Sequence, residues 1–346
     1  MKSNPVWQTA RVAAITDLTP TVREFLLQPE GGSAIAWPPG AHLQLRLRVA
    51  GREQTRSYSL VGLPAEAGGA YRIAVKRLDD GRGGSRAMWS LAVGDTLPVS
   101  APQNHFALAL DAPESLLLAG GIGITPLVGM ARALRQQGRA VRLLYGARSQ
   151  AELAYAEALR AELGEALVTA VAERGERLDL AGAIAALPMG APCYVCGPAG
   201  LLDAARAAWA AQGRAAADLR FETFGSGGRL PTGSFVVQVP RHGCELTVPP
   251  GESLLDALEA AGVEVMSDCR RGECGLCAMD VLALEGEIDH RDVFLSAHER
   301  AANQRICACV SRVVGRITLD SAWRPDGPAV AGPASQTQAR GLPQVS

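Results

Sequence analysis

The pattern of apolar and polar positions changes along this chain of 346 residues, and the changes predict regions of different architecture. In residues 1–106, apolar and polar side chains alternate in short runs such as 41–49 and 71–76, and Gly and Pro separate the runs. Successive side chains of a strand point to opposite faces, so this alternation is typical of half-buried antiparallel strands. The pattern predicts an antiparallel β-barrel or sandwich.

In residues 107–225, apolar runs alternate instead with Ala-rich segments of helical period. The apolar runs are 115–119, 141–145, 167–171 and 192–196, and the helical segments are 126–137, 151–163 and 199–211. Strand–helix alternation of this kind indicates a doubly wound α/β domain with a parallel sheet.

The remainder of the chain predicts a linker, a third domain and a tail. Residues 226–233 contain repeated Gly and are predicted to be a flexible linker. The third domain, 234–322, opens with strand-like runs at 235–239 and 244–248, a short helix from Ser253 and a cysteine-rich loop. Residues 323–346 are rich in Pro, Ala, Gly and Gln without an apolar period, so we expect a disordered tail.

Composition and charge narrow the range of partners and locations expected for this protein. A net charge of −1 gives no global field that attracts nucleic acid or an anionic membrane, so neither is expected as a partner. The chain also lacks a run of about 18 apolar residues that would predict a membrane span. Without a secretory signal pattern we expect a cytoplasmic location. In that reducing compartment, the eight cysteines are expected to bind metal rather than form disulfides.

Three cysteines carry the clearest metal-binding signal. Cys269, Cys274 and Cys277 have the C-x4-C-x2-C spacing of plant-type [2Fe–2S] ligation, and Gly272 and Gly275 tolerate the tight turns that such a loop needs. Zinc sites normally use two short C-x2-C pairs or a Cys/His mixture, and a Rieske centre needs two histidines, neither of which the loop offers. The spacing predicts a [2Fe–2S] cluster.

The fourth ligand is open between Cys307 and Cys309, which face the same side of a predicted strand. The distance from the loop in simple plant ferredoxins favours Cys307. Cys193 and Cys196 also form a C-x2-C pair, but they lie in an apolar run that leads into a helix, and we expect them to be structural.

Two Gly-rich turns predict a nucleotide site at the carboxyl edge of the parallel sheet, where ligands bind in open α/β folds. Residues 116–126 run from a strand through a glycine turn into a helix, with Thr125 expected to cap the helix and Pro126 to take its first position. Because Pro126 replaces the last Gly of G-x-G-x-x-G, a conventional dehydrogenase domain is disfavoured. A second turn follows at 196–200.

The first domain offers candidate phosphate and ring contacts. Arg56 can pair with a phosphate, Tyr58 can lie along an aromatic ring, and the segment 81–85 supplies backbone amides and the hydroxyl of Ser85 before a helix.

Taken in order, the motifs Arg-x-Tyr-Ser, Gly-Arg-Gly-Gly-Ser, Gly-Gly-Ile-Gly-Ile-Thr-Pro, Cys-Gly-Pro and the cysteine loop resemble the phthalate dioxygenase reductase family of the ferredoxin–NADP reductase superfamily. The resemblance covers about residues 7–322. It implies a multidomain protein with an FMN-binding antiparallel β-barrel, a pyridine-nucleotide-binding α/β domain and a C-terminal β-grasp (α+β) ferredoxin domain.

Matching motifs imply the site residues. The flavin would be held by Arg56, Ser57, Tyr58, Ser59, Arg82, Gly83, Gly84 and Ser85, and the nucleotide by Gly120, Gly121, Gly123, Thr125, Arg148, Cys196, Gly197 and Pro198. Thr125 and Phe224 would lie near the flavin and nicotinamide, with no residue acting as acid or base. In this family the fourth iron ligand directly precedes Val-Ser-Arg, which implies Cys309.

The resemblance implies the monomeric reductase component of a Rieske-type oxygenase system that hydroxylates or demethylates a small molecule. Electrons would pass from NADH through FMN and the [2Fe–2S] cluster to the terminal oxygenase. NADH is expected over NADPH, since Arg148 is followed by an acidic residue, Glu152. One alternative is a reductase for a diiron or haem oxygenase, although these more often place the ferredoxin first and bind FAD. The other is an iron–sulfur carrier or sensor with inactive nucleotide domains, although the Gly-rich turns are intact.

Overall fold

The structure is a computed structural model that describes residues 6–49, 51–79, 81, 83–224, 230 and 232–320. The chain divides into two compact units between residues 227 and 228, inside the predicted linker. Most of that linker and the predicted tail lie outside the described residues. The predicted multidomain fold class is confirmed, as the following three sheets show.

The first unit begins with a curled six-stranded antiparallel sheet in the order β4-β3-β6-β1-β2-β5. Its elements are β1 (Trp7–Thr19), β2 (Val22–Pro29), β3 (His42–Val49), β4 (Arg52–Ser59), β5 (Tyr71–Lys76), α1 (Gly84–Trp89) and β6 (Thr96–Ser100). An isolated bridge between Leu60 and Ile73 connects the chain after β4 to β5. The strands therefore form a half-barrel around a core that includes Phe25 and Tyr71.

Burial in β3 departs from simple alternation. His42 and Gln44 are buried together with the leucines between and after them. Residues 103–105 pack on this face, where the His42 ring lies 5.5 Å from the His105 ring and the Gln44 side chain donates to that of Gln103 at 3.3 Å. The backbone amide of Gln44 donates to the Ser100 hydroxyl at 2.9 Å. Contacts with the segment 100–105 thus bury a face of β3 that the sequence pattern predicts to be polar.

The first unit continues with a five-stranded parallel sheet in the order β11-β10-β7-β8-β9. Its elements are β7 (Glu114–Gly120), α2 (Ile124–Gln136), β8 (Ala140–Ala147), α3 (Ala156–Leu163), β9 (Leu167–Val171), α4 (Leu180–Ala185), β10 (Cys193–Cys196), α5 (Ala199–Ala211) and β11 (Leu219–Glu222). The chain runs outward from β7 to β9 and then returns to the other side of β7. The strand order therefore reverses between β7 and β10, and this is the switch point where open α/β sheets bind ligands.

The elements of this sheet follow the sequence pattern closely, with two additions. The four predicted strands and the helix at 199–211 are confirmed, whereas α4 and β11 were not predicted. Helix α3 begins five residues later than predicted. Tyr155, which precedes it, has a φ of +62° that interrupts a continuous helix from residue 151.

The second unit contains a mixed five-stranded sheet in the order β13-β12-β16-β14-β15. Its elements are β12 (Phe235–Val239), β13 (Cys244–Val248), α6 (Leu254–Ala260), β14 (Ala278–Asp289), α7 (Ala297–Ala302), β15 (Arg305–Cys307) and β16 (Arg312–Asp320). β12 and β16 are parallel and the other neighbours are antiparallel. Ser253 caps α6 by accepting from the Asp256 amide at 3.0 Å, so the predicted start of this helix is confirmed.

A search of the described helices for a long apolar stretch found none that could span a membrane.

Candidate functional site

The two Gly-rich turns meet at the switch point of the parallel sheet. A Cβ atom at Gly123 would lie 2.2 Å from the carbonyl oxygen of Cys196, and one at Gly197 would lie 2.9 Å from the Cα of Gly120. Gly120 has the same constraint, because its Cβ would be 2.6 Å from the ring of Pro198. The two backbones thus touch where no side chain fits. Gly121, between them, has a φ of +54° with open space around it, so the turn can face a ligand.

Thr125 does not cap helix α2 as the sequence predicted. The helix begins at Ile124 and Gly123 takes the cap position without a side-chain bond. The Thr125 hydroxyl lies inside the first turn and donates to the Ile122 carbonyl at 3.0 Å. The single-turn helix formed by residues 121–123 draws the chain into helical geometry before Thr125, so both Thr125 and Pro126 lie further inside α2 than predicted.

Arg148 lies at the same carboxyl edge, directly after β8, and its side chain is exposed. Its carbonyl accepts from the amide of Glu173 at 3.0 Å, which joins the loops that follow β8 and β9. The fold therefore places Arg148 on the predicted side of the sheet, one strand away from the glycine turn after β7.

The structure brings the two predicted flavin motifs of the half-barrel together. A Cβ at Gly84 would lie 2.7 Å from Nε of Arg56, so this arginine from β4 packs against the first residue of α1. Its guanidinium donates to the Thr55 carbonyl at 2.8 Å and to the side chain of Gln54. Gly83 has a φ of +81°. A guanidinium beside the backbone of a tight turn before a helix is an arrangement that suits a phosphate group.

The hydroxyl of Ser85 bonds to the backbone of the same turn. It accepts from the amide of Leu78 at 3.1 Å and donates to the carbonyl of the same residue at 3.3 Å. Ser85 thereby closes the turn that carries Gly83 and Gly84. Arg82 falls outside the described residues, and Ser57 and Tyr58 are half-buried on β4.

A buried carboxylate that the sequence reasoning missed lies beside this motif. The Ser59 hydroxyl donates to the Glu222 carboxylate at 3.2 Å, and both residues are buried, although 163 positions separate them. Glu222 ends β11, and Phe224, two residues later, is half-buried against the core of the parallel sheet. Sequence reasoning selected Phe224 from the segment 221–224 and passed over Glu222. The signal that could have identified Glu222 is a charged residue at the end of a buried strand.

The cysteine loop of the second unit directs its backbone toward sulfur. The Sγ atom of Cys269 accepts three backbone N–H groups, each at 3.4 Å, from Arg271, Glu273 and Cys274. The positive φ angles predicted for the two loop glycines are confirmed at +78° for Gly272 and +73° for Gly275. Gly272 packs against Asp292, and Gly275 lies under the ring of Phe294.

Mutual contacts of the thiols divide them into donors and acceptors. Hydrogen bonds from the Cys274 thiol and from backbone amides lower the pKa of Cys269 to about 5. Hydrogen bonds from the thiols of Cys307 and Cys309 lower the pKa of Cys277 to about 4. The same bonds raise the pKa of Cys274, Cys307 and Cys309. Thiolates are the form that binds metal, so the loop is organised to stabilise negative charge on sulfur.

Both candidates for the fourth ligand lie beside Cys277. Cys307 is fully buried and Cys309 is 2% exposed. The charges that act on Cys309 include those of Cys277 and Cys269, which belong to opposite ends of the loop. The charges that raise or lower the pKa of Cys307 include those of Asp292, Cys277 and Arg305.

Buried polar residues that the sequence reasoning did not single out support the loop from behind. Asp292 accepts from the Leu295 amide at 2.8 Å and from the Ser311 hydroxyl at 3.1 Å. Burial would raise the pKa of Asp292, but the bonds from His290, Leu295 and Ser311 hold it below its usual value.

Arg312, next along the chain, donates to three backbone carbonyls at 2.6 to 3.0 Å, those of Glu252, Gly233 and Pro249. Burial lowers its pKa to about 10. Ser311 and Arg312, in the Val-Ser-Arg sequence after Cys309, thus hold this segment in place. Ser311 bonds to Asp292, and Arg312 bonds to the three carbonyls.

The donor chemistry of the loop fits an iron–sulfur cluster. The thiols of Cys269, Cys274, Cys277, Cys307 and Cys309 influence one another in this region, and cysteine thiolates are the ligands of such clusters. The four protein ligands of a [2Fe–2S] cluster are divided between two iron atoms. The glycine turns at the sheet edge, which exclude Cβ atoms, likewise fit close approach by a pyrophosphate.

Comparison with known proteins assigns each region to a class. Residues 9–108 match the oxidoreductase FAD-binding domain family, residues 117–207 the oxidoreductase NAD-binding domain family, and residues 237–314 the 2Fe-2S iron-sulfur cluster binding domain family. The chain is therefore an NAD(H)-dependent flavin and iron–sulfur oxidoreductase that transfers electrons.

Similar proteins over nearly the whole chain define the family. The chain is 40% identical over 312 residues to the heme-dependent oxidative N-demethylase beta subunit of Ectopseudomonas mendocina (strain ymp), covering 90% of this chain and 97% of that protein. It is 42% identical over 284 residues to the phenoxybenzoate dioxygenase subunit beta of Ectopseudomonas oleovorans, covering 81% and 86%. The structure of phthalate dioxygenase reductase, 31% identical, superposes with a TM-score of 0.76 over 91% of this chain and 98% of that one. The chain belongs to the phthalate dioxygenase reductase family, and its similarity to reductase subunits of oxygenase systems supports an oxygenase as its partner.

Proposed function

We propose that this protein is the reductase component of a Rieske-type oxygenase system, with FMN and one [2Fe–2S] cluster as cofactors and NADH as substrate. The observation that carries the proposal is the presence, in one chain, of the backbone cradle at the switch point and of the cysteine loop with Cys307 and Cys309 beside it. Similarity to reductase subunits supports an oxygenase as partner, and the oxygenase is proposed to hydroxylate or demethylate a small molecule. The chain is proposed to act as a monomer.

The chain's own residues bind and orient the reactants. A bound flavin would supply the chemistry that connects a two-electron hydride donor to a one-electron acceptor. Arg56 and the amides at Gly83 and Gly84 are proposed to hold the flavin phosphate. The turns at 120–123 and 196–198 are proposed to hold the nucleotide.

Ser57, Tyr58, Ser59 and the partly buried Phe224 are proposed to border the flavin ring. The buried Ser59–Glu222 pair adds a fixed polar contact there. Thr125 is proposed to contribute by stabilising the first turn of α2, because its hydroxyl donates to the Ile122 carbonyl.

In the second unit, Cys269, Cys274, Cys277 and Cys309 are proposed as the iron ligands. The influence of the charges of both Cys277 and Cys269 on the pKa of Cys309 supports this choice. The backbone N–H groups directed at Cys269 would stabilise the charge of the ligated sulfur.

FMN is proposed over FAD although the matching domain family is named for FAD. The half-barrel supplies one phosphate-type site, formed by Arg56 and the turn before α1. The sequence after Ser85 offers no recognisable segment for an adenine. The domain limits of residues 1–106, 107–225 and 234–322 are also proposals, and they are based on the changes of sequence pattern along the chain.

The experiment begins with the purified full-length chain. Flavin released by denaturation should run as FMN on chromatography, and iron should be about two atoms per chain. The protein should reduce cytochrome c with NADH. Extracted flavin that runs as FAD, or iron near four atoms per chain, would contradict the cofactor assignment.

A haem oxygenase is the second candidate partner, and one observation favours it. The N-demethylase relative, which is 40% identical, is described as heme-dependent. The two candidates are separated by reconstitution of the reductase with purified Rieske-type, haem and diiron oxygenases from the same organism. We expect NADH-dependent product formation with the Rieske-type protein. Turnover with only the haem or diiron protein would replace the first proposal.

A further inference from the structure

One outer face of the half-barrel packs against the domain of the parallel sheet. The residues of this face include Val22 and Glu24 on β2 and Ala74 and Lys76 on β5. They point to the same side because alternate residues of a strand do, and because the register pairs Val22 with Lys76. Val22 and Ala74 are buried in the same apolar core as Leu153 of the other domain. The two domains of the first unit therefore share a core at this face.

The β8–α3 loop, residues 148–155, makes polar contacts with the same face. The Lys76 ammonium group donates to the Glu152 carboxylate at 2.9 Å, and the Tyr155 hydroxyl donates to the Glu24 carboxylate at 2.8 Å. The loop begins with Arg148, at the sheet edge where the nucleotide is proposed to bind. It thus connects the proposed nucleotide site directly to the domain that is proposed to hold the flavin.

The backbone of the β8–α3 loop is held in one conformation by these contacts. Tyr155 has a φ of +62°, which is uncommon for a residue other than glycine and persists where the surroundings hold it. The Glu152 carbonyl accepts from the Tyr145 hydroxyl at 3.4 Å and from the Ala154 amide at 3.0 Å. Leu153 and Ala154, between the two polar contacts, are buried. The loop is therefore fixed to the half-barrel at two points with buried residues between them.

We propose that Glu152 and Tyr155 are positioning residues for hydride transfer, because their bonds to the half-barrel hold the nucleotide site at a fixed distance from the flavin site. This inference rests on the proposed positions of the two sites and is independent of which flavin or oxygenase is used. In the reaction a hydride passes from the nicotinamide to the flavin, and neither residue gains or loses a proton.

The physical reason is the steep dependence of the reaction on distance. The reacting atoms must approach to about 3–3.5 Å, and a misplacement of about 1 Å can lower the rate on the order of a hundredfold. Bonds between the two domains stabilise the arrangement in which both sites meet, whereas the proposed nucleotide contacts belong to one domain. Loss of such a bond should therefore lower kcat for flavin reduction and leave KM for NADH nearly unchanged.

The test measures flavin reduction by NADH in rapid-mixing experiments on the full-length protein with its cofactors. Tyr155→Phe removes the hydroxyl and keeps the ring. Lys76→Ala, Glu152→Ala and the double variant remove the ion pair, and Lys76→Arg keeps its charge. Arg142→Ala is the matched control, because it removes a similarly exposed ion pair, with Glu114 at 2.9 Å, that lies inside the parallel sheet.

We expect Tyr155→Phe to lower the limiting rate of flavin reduction about tenfold, because a hydrogen bond to a charged group is lost. Lys76→Ala and Glu152→Ala should each lower it about threefold. The double variant should be no slower than either single variant, because the two side chains act as one pair. Lys76→Arg should recover most of the lost rate, and Arg142→Ala should match the parent protein. The ratio of NADH to NADPH activity should stay constant, because the Glu152 carboxylate bonds to Lys76.

Three results would overturn the inference. Tyr155→Phe could reduce its flavin as fast as the parent protein, or its KM could rise at constant kcat, which would make the loop a binding element. A changed ratio of NADH to NADPH activity in Glu152→Ala would make Glu152 a specificity residue. If Tyr155→Phe does not fold, Glu24→Gln tests the same bond from the other side. Failure of the proposed sites is distinguishable, because Arg56→Ala would then retain flavin and Gly123→Ala would keep its activity.

Discussion

The sheet edge of the first unit and the cysteine loop of the second unit prepare cofactor sites in opposite ways. At the sheet edge, Gly120, Gly123 and Gly197 bring two backbones together and leave no room for Cβ atoms. In the loop, side chains are the site, and glycines only allow the turns that aim the thiols inward. The first site therefore requires residues without a Cβ atom, and the second requires the thiol groups of its cysteines.

This difference has consequences for mutation. Adding a methyl group should damage the first site, because the clashing atoms belong to the backbone and cannot rotate away. Replacing one ligating sulfur atom should damage the second site, because metal binding depends on the full set of ligands. The two units have separate cores, so each kind of damage is expected to stay local.

The largest effect is expected for Cys274→Ser. Removal of one loop ligand should abolish electron transfer from NADH to cytochrome c, by more than about a hundredfold, because the metal site depends on its full ligand set. NADH–ferricyanide activity should be preserved, since the flavin and nucleotide residues lie in the first unit. Both activities are measured on one preparation, with Cys244→Ser as the control. Equal loss of both would show that the two sites are not separable.

The next effect is expected for Gly123→Ala. Its methyl group would lie 2.2 Å from the Cys196 carbonyl oxygen, and such overpacking costs about 1–3 kcal/mol, so kcat/KM for NADH should fall by roughly ten- to a hundredfold. Gly200→Ala is the matched control, because a Cβ there meets no atom within 4 Å. Cluster absorbance should be unchanged in both variants. Equal activity of the two variants would contradict close backbone contact at the switch point.

Arg56→Ala should release flavin. Hydrogen bonds to charged groups contribute about 1.5–3 kcal/mol, so the dissociation constant of the flavin should rise on the order of tenfold or more. Flavin retained after dialysis is quantified by fluorescence, and Arg48→Ala, at an exposed position on β3, serves as control. Full retention in Arg56→Ala would remove this arginine from the phosphate site.

The smallest effect is expected for Arg148→Ala. An exposed charge contact contributes about 0.2–1 kcal/mol, so KM for NADH should rise by roughly two- to fivefold. In the parent protein we expect kcat/KM to favour NADH over NADPH at one ionic strength. Equal use of both nucleotides, together with a loss confined to NADPH in Arg148→Ala, would show that Arg148 binds a 2′-phosphate.

Local features of the chain were predictable from the sequence alone. The strands at 235–239 and 244–248, the Ser253 cap and the helix at 199–211 occur where apolar period and capping residues predict them. The positive φ angles of Gly272 and Gly275 follow from the spacing of the loop cysteines. These features depend on interactions between residues close in sequence, and such interactions leave a periodic pattern.

Tertiary structure decided the features that depend on distant partners. The contact between Gly123 and Cys196, the Ser59–Glu222 pair and the side chain of Asp292 behind the loop join residues far apart in the chain. The hydroxyl of Thr125 donates to the Ile122 carbonyl because α2 begins before Thr125, and a capping pattern in the sequence does not show this helix start. Cys307 and Cys309 have the same position in an alternating pattern, and only the β14–β15 ladder gives them different neighbours. Local period cannot specify such contacts, because they form when separate elements pack together.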